Sequence, residues 1–307
     1  MSTSVPGSPV AMAKPRPTVK TWLLAVRPKT LTAALVPVLV GTTLAFGLGV
    51  GRIVPALAAL LGAVLIQIGT NFINDYYDFK KGADTHERLG PVRVTQSGLI
   101  APSTVLVGAA VCFALATAVG AYLVAVGGWP IVAIGLASLL CGYAYTGGPF
   151  PLGYNGLGDL FVFIFFGLVA VTGTFYVQAG TVHPAAWWAA IPVGASGTML
   201  IVVNNLRDVT TDVKAGKRTL AVRWGTTAGK AEYVLLLLAA FATPIAMFVL
   251  GLAGPWVFLS FLSLPLAVPP LKRVLREQGA ALNPALGGTA RFQLFFGVLF
   301  GLGLYLR

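Results

Sequence analysis

Nine apolar runs, at roughly 30–49, 53–73, 103–126, 130–146, 158–178, 185–203, 231–251, 254–270 and 289–306, constrain this chain more than any other feature. A helix needs about 20 apolar residues to cross the hydrocarbon core of a bilayer. Inside lipid every backbone group must find its partner within the protein, so a run of this kind is satisfied as a helix. The runs therefore predict an all-α polytopic membrane protein, a bundle of about nine transmembrane helices. The share of hydrophobic residues, 57%, against 10% charged, agrees with that class. Arg291 interrupts the start of the last run and leaves its clean apolar part short. Residues 1–20 lack an apolar signal core and read as a disordered cytoplasmic tail, leaving 21–307 as a single transmembrane domain. Cys112 and Cys141 fall inside spans and read as packing residues.

A net charge of +12 would ordinarily raise the question of nucleic acid, but its distribution answers otherwise. In a nine-span topology 19 of the 21 basic residues fall on one side, and only Arg52 and Arg307 fall on the other. Cytoplasmic loops carry such an excess of Lys and Arg. The basicity thus reports topology and not a nucleic-acid partner. It predicts a multi-pass protein of the cell membrane with its N-terminus inside and its C-terminus outside.

The polar residues are concentrated as sharply as the apolar ones. Of nine acidic residues, four lie in two segments, Asn71-Phe-Ile-Asn-Asp75-Tyr-Tyr-Asp78 and Asn204-Asn-Leu-Arg-Asp208-Val-Thr-Thr-Asp212, with Asp84 close behind the first. Four spans separate the segments, an even number, so both sit at cytoplasmic helix ends. Asn71 and Asp75 are four apart, as are Asn204 and Asp208, and Asp208 and Asp212; Asp75 and Asp78 are three apart. That spacing lines one face of each helix. A lone Asp at a membrane boundary is ordinarily a solvated cap, but this pattern occurs twice, and acids near a bilayer are costly without a partner. Each copy also leads into a basic loop, Lys80-Lys81-Gly82 and Lys214-Ala-Gly216-Lys217-Arg218. Mg²⁺ takes hard oxygen ligands, commonly one or two carboxylates plus substrate phosphates. Two carboxylate stripes flanked by cations therefore suit a diphosphate held through Mg²⁺.

These residues resemble the UbiA superfamily of intramembrane prenyltransferases, whose two Asp-rich motifs also lie on spans two and six. Three strings resemble its branch acting on 1,4-dihydroxy-2-naphthoate (MenA type): Arg27-Pro-Lys-Thr-Leu, Asn74-Asp-Tyr-Tyr-Asp78 running on to Gly98, and Asn204-Asn-Leu-Arg207-Asp208 running on to Arg223. The resemblance covers roughly 22–305 and implies a UbiA-type helical bundle. It implies that Asp75, Asp78, Asp208 and Asp212 bind diphosphate through Mg²⁺, with Asp84 a further participant. Asn71, Asn74, Asn204 and Asn205 would orient carboxylates or bind phosphate. Arg93, Arg207, Lys217 and Arg218 would contact phosphate oxygens or hold the cytoplasmic loops over the site, and Lys81 and Tyr145 complete the expected substrate-binding set. Two departures stand out. Phe79 occupies the place where the ubiquinone-type branch carries the last Asp of its first motif, so that Asp78 or Asp84 must serve. The Tyr followed by Lys-Arg that this branch carries after span four is replaced by Tyr143-Ala-Tyr145-Thr-Gly-Gly-Pro149, which lacks the Lys.

The chemistry expected of such a site is departure of diphosphate from an allylic carbon and attack on the resulting cation by an electron-rich ring. The resemblance implies a polyprenyl diphosphate donor and dihydroxynaphthoate as the ring, with its carboxylate lost as CO₂ to give demethylmenaquinol. Another acceptor (homogentisate, a porphyrin-derived ring or a phosphosugar) would use the same diphosphate site. From a different class, a secondary transporter is the rival, but transporters place their charges near the bilayer midplane. Asp159, an isolated acid at the start of span five, reads equally as an orienting group or as a charge favouring a helix N-terminus.

Overall fold

The computed structural model describes residues 17–307, and among these every regular element is a helix. The first sixteen residues of the expected tail lie outside the described part, and helix α1 (Val19–Val26) begins immediately after its Thr18 cap. It ends at Arg27, which adopts a left-handed conformation (φ 56°, ψ 69°), and a 3₁₀ turn, Pro28–Thr30, leads into α2 (Thr32–Gly47). Pro28 disfavours the right-handed helical region for the residue before it. The α-helix therefore ends here, and beyond the turn the piece Val19–Thr30 meets Thr32–Gly47 at 53°.

The other expected spans follow as α3 (Ile53–Lys80), α4 (Pro102–Gly127), α5 (Trp129–Ala144), α6 (Gly158–Val162) continued by α7 (Ala170–Ala179), α8 (Pro184–Lys214) and α9 (Leu220–Val249). A 3₁₀ segment, Pro255–Ser263, carries on into α10 (Leu264–Arg276), and α11 (Asn283–Leu306) closes the described chain. Seven of these runs are long and apolar enough to cross a membrane, and the bent α1–α2 pair makes an eighth. The ninth, α5, has 16 residues. At about 1.5 Å per residue it reaches about 24 Å, short of a full hydrocarbon core. The last span is not weakened by its arginine. Arg291 is exposed, whereas Phe292, Phe296 and Phe300 on another face of α11 are fully buried.

Helix α8 is the axis of the bundle. Its N-terminal two thirds reads as Ala, Gly, Ser and Val, and these residues are buried almost without exception. Between helices in lipid the stabilising term is close packing, which small residues permit. At Gly194 the demand is plain: a Cβ there would stand 2.9 Å from the Phe163 carbonyl oxygen and 3.1 Å from the Gly167 Cα. That contact falls on a π-helical segment, Phe163–Val169, joining α6 to α7. Helix α8 packs against α9, while α3 pairs with α4 and α2 with α11.

Helices α3 and α8 carry the acidic motifs on their last turns, and both end in the same way. Gly82 and Gly216 take positive φ (69° and 71°), and the following residue's N–H returns to a motif carbonyl, Ala83 N to Asp78 O at 2.8 Å and Lys217 N to Asp212 O at 2.9 Å. This is the left-handed glycine stop that satisfies the orphan carbonyls of a helix end. It turns each basic loop back over its own acids.

Candidate active site

The two motifs meet through one side chain. Lys217 Nζ lies 3.6 Å from Asp78 Oδ1 on α3 and 3.6 Å from Asp212 Oδ1 on α8. Burial alone would lower the Lys217 ammonium pKa, but the charges of Asp78 and Asp212 outweigh it and hold the pKa above its ordinary value. The helical spacing that put each set of acids on one stripe thus brings the two stripes together.

The first motif is tied to four distant parts of the chain. Asp75 is buried, accepts the Thr95 N–H at 3.1 Å and lies 3.6 Å from Arg27 Nη2. Asp78 takes the Tyr154 hydroxyl at 2.8 Å and pairs with Arg93 at 3.3 Å. Arg93 in turn lies 3.2 Å from Asp84, which also pairs with Arg88. Burial pushes the Asp84 carboxyl up to about 6, against the pull of Arg88. The loop from 81 to 101 is therefore folded down over the end of α3. Lys81 reaches across to the Thr146 carbonyl at 2.7 Å, and Thr146 donates its hydroxyl to Asn74 at 2.8 Å.

The second motif is satisfied nearer home. Arg207 makes a two-pronged pair with Asp208, at 2.8 and 2.6 Å, and reaches Asn283 at 3.2 Å. Asn205 donates to both oxygens of Asp159, at 3.0 and 3.3 Å, which gives Asp159 an orienting contact. Arg218 contributes its backbone, N–H to the Tyr154 carbonyl at 2.8 Å, while its side chain is exposed. The asparagines are spread more widely than the motifs suggest. Asn71 holds the α1–α2 junction through the Val26 carbonyl (2.9 Å) and Thr30 (3.0 Å). Among the described residues none of the four asparagine amides bonds a motif carboxylate.

Below this charged layer opens a cavity of about 500 Å³ between α2, α3, α4, α5, α7 and α8. Its polar end is formed by Arg27, Thr30, Gln67, Asn71, Asn74, Tyr145 and Asn204, and the remainder is apolar, with Ile66, Val124, Leu139, Phe161, Phe165 and Val169 among its walls. Tyr145 fits at the polar end because Gly153 and Gly158 lie against its ring; a Cβ on Gly158 would stand 2.8 Å from the phenol oxygen. Arg27 is the one charged residue that lines the oily pocket, and through its contact with Asp75 it joins the pocket to the charged layer.

The donor set fits Mg²⁺. It consists of hard carboxylate oxygens, and Asp78 and Asp212 already converge on one cation. Arg93 Nη1 and Thr95 Oγ1, both in the loop over the first motif, are buried without a hydrogen-bond partner, while Arg93 Nε and Asp84 Oδ2 face each other at 3.2 Å. Buried polar groups are normally satisfied, so these two donors leave hydrogen-bonding capacity beside Asp75 and Asp78. Among the described residues no three acids, histidines or cysteines gather to hold a metal by themselves. Mg²⁺ bound by one or two carboxylates and completed by phosphate oxygens needs no such group.

Residues 34–299 match the UbiA prenyltransferase family. The chain belongs to that family. Among its relatives, the 1,4-dihydroxy-2-naphthoate octaprenyltransferase of Bacillus subtilis is 37% identical over 288 residues, 92% of this chain and 91% of the relative. The enzyme of the same name from Mycobacterium tuberculosis is 41% identical, over 87% of this chain and 91% of its own length. The fold also matches the solved structure of a UbiA homolog from Archaeoglobus fulgidus bound to DMAPP and Mg²⁺, at a TM-score of 0.61 and 16% identity, covering 93% of this chain and 99% of the other. The UbiA bundle expected from the strings is the bundle found.

Two residues that meet the motifs were not in the expected set. Arg27 counts in the sequence toward topology and opens one of the three resembling strings, but nothing there gives it a partner in the first motif. Tyr154 sits in a Gly- and Pro-rich connection between spans four and five; the sequence offers it, with other aromatics between the motifs, as a π-face for a cation, but a Tyr there more ordinarily marks the membrane interface.

Proposed function

We propose that this protein transfers a polyprenyl group from polyprenyl diphosphate to 1,4-dihydroxy-2-naphthoate, with loss of CO₂, in menaquinone synthesis. The observation that carries the reading is Lys217 set between Asp78 and Asp212 above an apolar cavity, in a chain whose relatives bear that activity in their names. Asp75, Asp78, Asp208 and Asp212, with Asp84, are the residues that would hold Mg²⁺. Bound there, Mg²⁺ supplies charge neutralisation of the departing diphosphate.

The chain's own residues do the rest. Lys81, Arg93 and Lys217 face the diphosphate oxygens and favour the charge that develops as the allylic C–O bond breaks. Arg207 holds the start of α11 through Asn283, whose amide donates to the Leu89 carbonyl at 2.7 Å and so ties down the loop from 81 to 101. Asn74, Asn204 and Tyr145 stand where the charged layer meets the cavity, the position at which the first isoprene unit and the ring must meet. The apolar walls exclude water from the allylic cation, and Phe161 and Phe165, stacked at 6.0 Å, offer it π-faces. All of this lies at one end of the bundle, and the positive-inside distribution supports placing that end on the cytoplasmic side of the cell membrane.

The test is turnover by purified protein in lipid nanodiscs, with Mg²⁺, a polyprenyl diphosphate and a panel of acceptors. Mg²⁺-dependent demethylmenaquinol formation from dihydroxynaphthoate, with release of CO₂, is expected. Turnover of another ring in its place would overturn the acceptor, and full activity in Asp75→Ala or Asp208→Ala would overturn the site.

A further inference from the structure

Resting on that reading of a diphosphate site, we infer that Tyr154 is a positioning residue that holds the site's two lysines ready for phosphate. Its ring lies 4.6 Å from Lys81 Nζ and 4.8 Å from Lys217 Nζ, measured to the ring centroid. Its hydroxyl donates to Asp78 Oδ1 at 2.8 Å, the same oxygen that Lys217 approaches at 3.6 Å. Its backbone carbonyl accepts the Arg218 N–H at 2.8 Å, and the next carbonyl, of Asn155, accepts from Arg223 at 2.8 Å. One residue thus touches the loops that follow both motifs.

The chemistry of the ring explains why a tyrosine serves here. Two ammonium groups brought side by side repel each other, and something must hold them. Asp78 and Asp212 already flank Lys217, and a further carboxylate in place of the ring would neutralise Lys81 as well and compete with the incoming diphosphate. A π-face attracts ammonium through its quadrupole and leaves the full positive charge in place. The hydroxyl adds a charge-assisted bond that fixes the rotamer of Asp78. Lys81 is steadied from its other side by the Thr146 carbonyl. The pair of lysines is therefore set at a fixed spacing before any ligand arrives, and the ordering of those long side chains does not fall on the binding step.

The experiment compares Tyr154→Leu, Tyr154→Phe and wild type as full-length protein in nanodiscs. The readouts are KM for farnesyl diphosphate, KM for the aromatic acceptor, kcat, and Ki for inorganic pyrophosphate. Loss of two cation–π contacts and one hydroxyl in the Leu variant is expected to raise the farnesyl diphosphate KM and the pyrophosphate Ki together, by about tenfold. The acceptor KM should stay put, and kcat should fall by less than KM rises. The Phe variant keeps the ring and should recover most of the loss, leaving about a threefold rise. Unchanged KM and Ki in the Leu variant overturn the inference, as does a fall confined to kcat, which a merely structural role would give. Should the Leu variant not fold, Tyr154→Phe decides: a wild-type KM overturns the inference and a selective rise supports it. If wild type itself neither turns over farnesyl diphosphate nor binds pyrophosphate, the diphosphate reading falls; if wild type does both and the variants match it, only the role of Tyr154 falls.

Discussion

The ends of α3 and α8 carry the same kind of motif and the same glycine stop, yet they are neutralised in opposite ways. Asp208 on α8 is paired by its sequence neighbour, Arg207. Asp75 and Asp78 on α3 draw their partners from Arg27, Arg93, Thr95, Tyr154 and Lys217, scattered from the first helix to the loop beyond α8. One end is a local pair and the other a hub. A hub is the more exposed to single changes, because each partner is left buried with an unbalanced charge when the centre is lost.

The comparison is tested most severely at Asp78. Asp78→Asn leaves Arg93 and Lys217 without their shared anion, and prenyl transfer in nanodiscs should fall by about 10³-fold. Asp208→Asn disturbs chiefly its own arginine, so the same assay should show a smaller loss, about 10²-fold. Equal losses would mean that the hub is no more central than the pair. Next in size is Arg27→Lys, which keeps the charge but cannot span the Asn71 carbonyl and Asp75 together. A drop of about tenfold in kcat/KM for the prenyl diphosphate is expected, with little change for the acceptor. The smallest effects concern what the two ends share. Gly82→Ala and Gly216→Ala each meet open space, so the cost is conformational only. Each should lower stability by about 1–2 kcal/mol, and by similar amounts, in a thermal or denaturant melt.

The bundle was legible in the sequence because lipid imposes its demand run by run, and the apolar runs could be found without knowing their neighbours. What departed from that reading depends on neighbours. The break before Pro28 has a local cause, but the junction it makes is held by Asn71 from α3, and α11 turns Arg291 away from the buried Phe292, Phe296 and Phe300. The same division holds in the site. Asp75, Asp78, Asp208 and Asp212 stood out by helical spacing, and Lys217 by its place in the loop that follows the second motif. Arg27 and Tyr154 lie 48 and 76 residues from the acids they touch, Asp75 and Asp78, and each has an ordinary explanation where it stands. Only the folded chain brings them to the motifs. The asparagines show the converse, since a repeated Asn-x-x-x-Asp spacing suggested shared duty, and the fold gives Asn71 the α1–α2 junction and Asn205 the buried Asp159.

The bridge from Asp78 to Lys217 also sets an order of events in the making of the protein. Asp78 leaves the ribosome with α3 and finds Arg93 15 residues later, but its second cation arrives only after four more spans have been threaded into the bilayer. A chain is built and inserted from its N-terminus, so the first half of the protein, in which α3 packs on α4, reaches the membrane with an incomplete charge layer. Catalytic competence is conferred late and all at once, by the turn that follows α8. Truncated or stalled chains would then lie in the bilayer inert, unable to cleave a reactive diphosphate where no acceptor pocket has yet formed.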